Sequence, residues 1–517
     1  MSWKRAAARM GAVTALSRGF GLVRVLVVAA VLGTTYLGNA FQAANSVSNV
    51  LFELVAAGAL SAVLVPSFVQ LLDRGNDREA DRLASGLFGV ALAGLGALVV
   101  IGVIAAPLIA RVLTAGIEND AVAADQRELE TFLLRWFLPQ ILLYACATIA
   151  TAVLYARRRF SIAAAAPIAS SVVMIAAFIA FRVVAGSEPT FDLTTGEQML
   201  LVVAGTGGVI AFAAVLIVAA RRAGFSLRPR WMPRDPEIGR VLRLSGWGVL
   251  LHANAGMLLG AALIVGSSIA GGVVAYQVAF VFFLAPYSIF ALPISTAILP
   301  ELTDDVSRGD LDSFAATVRH ALDRMAVIVL PISAVMVALA LPGMRVVAFG
   351  RADGAGVELL AAALASLAVG LFPYGAFLLL ARAYYALGDS RRPALVAIVS
   401  GIVGVVVMVV AALLTEGAAR VAALGLGHTV SYLVGAVILG LDVRRRVAGH
   451  IWDADLGRAV LVALAVGVST WAVALVIDPH DRAAAVATLA IGAAVALAVF
   501  LASARVLRVA KAAEHAS

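Results

Sequence analysis

The first apolar segment of this chain cannot cross a bilayer without carrying two arginines with it. After Arg24 only Val25 to Gly33 remain before the polar Thr34. A spanning helix needs about 20 residues. It must therefore begin near Met10 and include both Arg18 and Arg24. An arginine inside a membrane costs roughly 2.5–3.5 kcal/mol on insertion scales, and such residues face water-filled cavities or charged ligands. The chain reads as a membrane transporter with a cationic cavity and an anionic cargo.

Composition agrees. The 517 residues are 62% hydrophobic and 14% charged, with a mean hydropathy of +1.00. Soluble domains are nearer half apolar and a quarter charged. A β-barrel is excluded, because the apolar runs are continuous at helix length rather than alternating in strands of about ten residues. The N-terminal run lacks a small-residue cleavage motif and reads as the first span itself. The net charge of +8 comes from arginines in short loops. No basic patch is interleaved with aromatics, which argues against nucleic acid. Cys146 stands alone, so no intramolecular disulfide is possible, and no metal-ligand cluster or cofactor motif surrounds it.

The hydropathy pattern predicts an all-α polytopic protein of fourteen spans. Their cores are 11–33, 40–66, 86–110, 132–155, 161–184, 199–219, 242–266, 273–299, 323–343, 358–386, 394–414, 420–441, 458–477 and 484–504. Alternate loops carry the arginines: Arg74, Arg78 and Arg82 after span two, Arg157 to Arg159 after span four, Arg444 to Arg446 after span twelve. The intervening loops are poorer in them, and the segment from Glu118 to Glu130 reads as an acidic solvated loop. By the positive-inside rule both termini are cytoplasmic, in a plasma membrane.

Spans two and eight end alike. The segments 61-SAVLVPSFVQLLDRGND-77 and 295-STAILPELTDDVSRGD-310 place Arg-Gly at the same distance from Pro66 and Pro300. Spans four and ten rhyme through Tyr155-Ala156 and Tyr385-Ala386 before a turn. The offset of six spans keeps both halves in one orientation, which implies two pseudo-symmetric six-helix lobes with a site between them. Residues 1–222 form the first lobe, 223–446 the second, and 447–517 hold the last two helices and a cytoplasmic tail.

Span two carries Gln42, Asn45, Asn49 and Glu53, spaced as one helical face. A polar stripe in a membrane faces protein or water. Glu53 and Arg24 lie at matching depth, so they pair, either as a gate that cargo opens or as a permanent helix–helix ion pair. Arg18 and Arg24 are about 9 Å apart along the axis and roughly 120° apart around it. Gly19 and Gly21 between them allow a bend or a close helix contact. Arg18 either lines the cavity or snorkels to the surface. His252 and Asn254 in span seven and Gln277 in span eight, beside Tyr276, complete the candidate substrate-binding set. Pro139, Pro286, Pro293 and Pro373 predict kinks. Arg382 and Arg135 near span ends read as snorkelling.

Several segments resemble one family. The stretches 17-SRGFGLVRVLVVAAVLG-33, 58-GALSAVLVP-66, 159-RFSIAAAAPIASSVVMIAAF-178 and 384-YYALGDSRRPALVAI-398 are similar, in order, to the MurJ (MviN) lipid II flippases. Those proteins belong to a wider superfamily of two-lobed MATE-like exporters. The resemblance implies alternating-access export of the undecaprenyl-diphosphate-linked muropeptide lipid II for cell-wall synthesis, not an enzymatic activity. It implies a cavity formed by spans one, two, seven and eight, and a lipid-tail groove on spans thirteen and fourteen. Membrane lipids and other cell-wall synthesis proteins are the implied partners. Arg18 and Arg24 match the family's cavity arginines. Asn39 stands where the family has an acidic residue, Phe52 and Glu53 where it has basic ones, and Val281 where span eight has an arginine. A flippase for another polyprenyl-diphosphate glycan, or a non-transporting paralogue, is the alternative.

Overall fold

Inside a bilayer no water satisfies backbone polar groups, so an apolar chain crosses it as helices or as a closed barrel. The computed structural model describes residues 3–52, 64–447, 451 and 454–514, and the side chains of 11–51, 64–239, 253–447, 451 and 455–503. Every regular element among them is helical. Among the described residues eleven helices are long and apolar enough to cross a membrane, and a pair bent by 43°, Ala355–Val369 and Leu371–Ala386, makes a twelfth if taken as one broken span. Of the other two expected spans, span two runs partly outside the described residues and span seven partly outside the described side chains. Span two shows the helices Tyr36–Phe52 and Val65–Asp73, and span seven the helix Pro236–Ser267.

Two expected boundaries move. Span three begins at Asp77 and runs to Leu113, and span nine covers Leu311–Ala338. The acidic segment read as a loop is instead the helix Asp120–Phe137, which leads into Gln140–Ala156 to complete span four. Asn119 caps it, accepting from the N–H groups of Ala121 and Val122. The four prolines expected to kink sit at interruptions. Pro139 separates the two helices of span four. Pro286 precedes a π turn, Tyr287–Ala291, and Pro293 opens the helix after it. Pro373 follows the bend of span ten.

The chain forms two compact units, Met1–Val274 and Ala275–Ser517. In the first, span one packs along span five (Phe160–Val184), while span two packs on span four and on span seven. Phe41 of span two meets Phe137 and Phe178 edge-on at 5.7 and 5.0 Å. In the second unit spans eleven (Arg391–Leu413) and twelve (Gly417–Val447) pair closely. Span nine carries span thirteen (Ala454–Ile477), which packs on span fourteen (Arg482–Glu514).

The repeat is visible in the backbone. Phe68 and Leu302, two residues past the matched prolines, are both fully buried. Gly75 and Gly309 close the two helices at φ 73° and 70°. These are left-handed positions that glycine occupies without penalty.

Candidate functional site

Span one is an unbroken helix, Trp3–Leu32, so Arg18 and Arg24 do enter it. Arg18 is exposed and Arg24 half-buried, at the point where the helix passes from its open part to the fully packed stretch beginning at Val28. Tyr144 of span four is close enough to feel the charge of Arg24. Gly19 and Gly21 neither break the helix nor make a close helix contact. A Cβ on either would meet nothing within 4 Å. The arginine-bearing segment therefore has open space beside it.

On span two Gln42 and Ser46 are buried, while Asn45 and Asn49 are half-buried. The hydroxyl of Ser48 is buried with no hydrogen-bond partner, an uncommon state for a native polar group. Glu53 lies outside the described residues, and so does its pairing with Arg24. His252 falls within the span-seven helix, but its side chain is likewise outside the description. Asn254, two residues on, is buried, and Gln277 in the second unit is half-buried.

The face opposite the N-terminus is shut within the first unit. Asn39, fully buried, donates to the Ile269 carbonyl at 2.7 Å and accepts from the Val273 N–H at 3.0 Å. One amide thus ties the start of span two to the turn between spans seven and eight. An aspartate could accept from Val273 but, ionised, could not donate to Ile269. Gly271, at φ 77°, lies so close to Thr34 that a Cβ would sit 2.4 Å from it. Only glycine permits this approach of the two turns.

Residues 28–490 match the family model described as Lipid II flippase MurJ. The chain belongs to the lipid II flippase MurJ family. A probable lipid II flippase MurJ of Rhizobium tropici is 26% identical over 466 residues, covering 88% of this chain and 83% of the relative. The lipid II flippase MurJ of Burkholderia cenocepacia is 25% identical over 415 residues, covering 77% and 76%. Among solved structures, an inward-closed lipid II flippase MurJ aligns over 96% of this chain and 98% of its own, with a TM-score of 0.73 at 18% identity. An inward-facing MATE multidrug transporter aligns over 86% and 98%, with a TM-score of 0.66 at 14% identity. At such identities these structures establish a shared fold. The MurJ family is one of transporters, and the chain is a multi-pass membrane protein.

Three polar groups went unrecognised in the sequence. Glu130, assigned to a solvated loop, is fully buried. It accepts from Gln126 at 2.8 Å, and its other oxygen has no partner. Arg382, expected to snorkel, is half-buried beside Tyr287 and Tyr385, with one guanidinium nitrogen buried and unpartnered. His428 of span twelve shares a 2.7 Å hydrogen bond with Tyr276 inside an aromatic cluster, and its Nδ1 has no partner. Arg382 and His428 each stand alone in an apolar stretch of helix, and Glu130 is hidden among the exposed charges of its own helix, so no local pattern marks them. Of the positions that the sequence resemblance singled out, Asn39 has a structural role in its paired backbone bonds. Val281 is simply half-buried in span eight.

Proposed function

We propose that the chain carries lipid II from the cytoplasmic to the outer leaflet by alternating access, with Arg24 as the contact for the diphosphate. The reading rests on a half-buried arginine in an unbroken spanning helix of a MurJ-family chain. A guanidinium offers a planar fork that donates two hydrogen bonds to phosphate oxygens. Removed from bulk water, such a contact is stronger than at a surface. Arg18, exposed and nearer the N-terminal end of span one, meets the headgroup first. The amides of Asn45 and Asn49 supply neutral donors and acceptors suited to sugar hydroxyls.

The arginine bias of the loops favours cytoplasmic termini in the plasma membrane. The face of the first unit closed by Asn39 is then the outer one. The two Asn39 bonds are each worth about 0.5–1.5 kcal/mol net. A cargo that binds the outward-open form a few kcal/mol more tightly suffices to open that latch. Spans thirteen and fourteen offer an apolar face to the polyprenyl tail.

Complementation tests this. In a bacterium depleted of its own lipid II flippase, the wild-type chain is expected to restore growth. Arg24→Ala at equal membrane level is expected to fail. Loss of one charged contact of about 1.5–3 kcal/mol lowers transport by at least tenfold. Failure of the wild type despite correct insertion would redirect the assignment to another polyprenyl-diphosphate glycan.

A further inference from the structure

Between spans five and six the first unit leaves an open groove of about 540 Å³. Arg159, the residue that precedes span five, and Arg222, the last residue of span six, stand at one end of it. Ile162, Val215, Val218 and Ala219 line the rest. Val215 and Val218 are 37% and 45% exposed, in line with Ile210 and Val203 farther along the same span. The groove therefore opens onto the surface that meets lipid.

Neither guanidinium has a hydrogen bond or ion pair among the described residues. Their neighbour Arg157 does. It contacts Asp77 at 2.8 Å and lies over the Phe225 ring at 5.5 Å. The repeat supplies an internal control. The turn after span ten has the same backbone hydrogen bonds as the turn after span four, and it places Asp389 where the first unit has Arg159. Asp389 pairs with Arg446 at 2.9 Å. Asp442 pairs with Arg392 at 2.9 Å and accepts from the Tyr384 hydroxyl at 2.6 Å. The second unit neutralises its turn with its own carboxylates, whereas the first leaves two guanidinium groups without an anion, at the headgroup end of an apolar trough.

We infer that this groove binds an anionic phospholipid of the phosphatidylglycerol type, its phosphate between Arg159 and Arg222 and an acyl chain along Ile162, Val215 and Val218. Basic clefts between membrane helices at the cytoplasmic level recognise anionic headgroups, and exposed apolar side chains below them accept the chain. The site lies apart from Arg24 and does not depend on the cargo assignment. It has a structural route to the transport helix, because span five is the element along which span one packs.

The test is photocrosslinking of the purified full-length protein in detergent with a photoreactive phosphatidylglycerol. Labelling is expected on peptides containing residues 159–162 and 214–222. Unlabelled phosphatidylglycerol should compete, and phosphatidylcholine should not. Arg159→Gln with Arg222→Gln is expected to raise the half-saturating concentration about thirtyfold. Arg159→Lys with Arg222→Lys should stay within a few-fold of wild type, which keeps the test decisive if the glutamine variant folds poorly. Arg182→Gln, at the other exposed end of span five, should leave it unchanged. Equal competition by phosphatidylcholine, wild-type saturation in the glutamine variant, or an equal shift in Arg182→Gln would each overturn the assignment.

Discussion

The turns that end spans four and ten have one backbone and opposite chemistry. In the first unit the N–H groups of Arg157, Arg158 and Arg159 donate to the carbonyls of Val153, Tyr155 and Leu154. In the second, Leu387, Gly388 and Asp389 donate to Ala383, Tyr385 and Tyr384. The middle residue is left-handed in both, at φ 58° for Arg158 and 75° for Gly388. Capping geometry has kept the turn while its side chains have diverged. One copy gathers arginine and the other interleaves carboxylates with it. The turns at the opposite face are also unequal. The fourth residue of span two is Asn39, which binds across to the next turn, whereas the fourth residue of span eight is Ala275. What the repeat shares is fold, and what differs between its copies is where function resides.

The sharpest way to break that contrast is Asn39→Ala. It leaves the Val273 N–H without a partner and the Ile269 carbonyl with only the Gly272 N–H, at about 1–3 kcal/mol. A Thr34→Cys probe in a Cys146→Ser background should then react at least about fivefold faster with an impermeant maleimide. Unchanged labelling would show that Asn39 does not hold that face shut. Next in size, Gly388→Ala forces a Cβ into the left-handed region and should destabilise the protein by about 1–2 kcal/mol. Arg158→Gly runs the other way. It relieves the same strain, less the added chain entropy of glycine, for a gain of about 0.5–1 kcal/mol. Thermal unfolding midpoints that moved in one direction for both variants would mean that the turns are not equivalent.

The smallest effect concerns Asp389. Burial by itself would raise its pKa, but the Arg392 N–H and the Arg446 guanidinium outweigh that and hold it below the ordinary carboxylate value. A depressed pKa contributes stability that is present above the unfolded value and is lost as pH falls through the folded one. Asp389→Asn should therefore lower the unfolding midpoint slightly at pH 7, by less than about 1 kcal/mol. The difference from wild type should vanish in acid, once the pH has fallen through the depressed folded-state pKa. A difference that persisted there would mean that the carboxylate acts through packing rather than charge.

Much of this architecture is legible before folding is considered. Helix length against bilayer thickness forces Arg18 and Arg24 into the first span. The proline-to-glycine spacing identifies the repeat, and its two left-handed glycines follow from helix termination. In the acidic stretch at 118–130 Glu118, Asp120, Asp125 and Glu128 are exposed as expected, but the helix and the burial of Glu130 are masked by those solvated neighbours. Only the packed helix puts Gln126 and Glu130 on its buried side. Arg382 was misread for the related reason that a long side chain near a span end can point either way.

The sequence by itself determined the solvent, the position of most spans, the family and the arginines of span one. All of these follow from patterns repeating within one or two helical turns, or from matched segments. Only the tertiary structure decided which polar groups meet. Asn39 binds carbonyl and amide groups some 230 residues away, and His428 finds Tyr276 across 152 residues. Only there does Arg159 stand without the carboxylate that its counterpart turn provides. In a chain of apolar helices any face can pack against any other by hydropathy alone. A single hydrogen bond in a low-dielectric interior then selects among those packings, and its partner has no signature in local spacing.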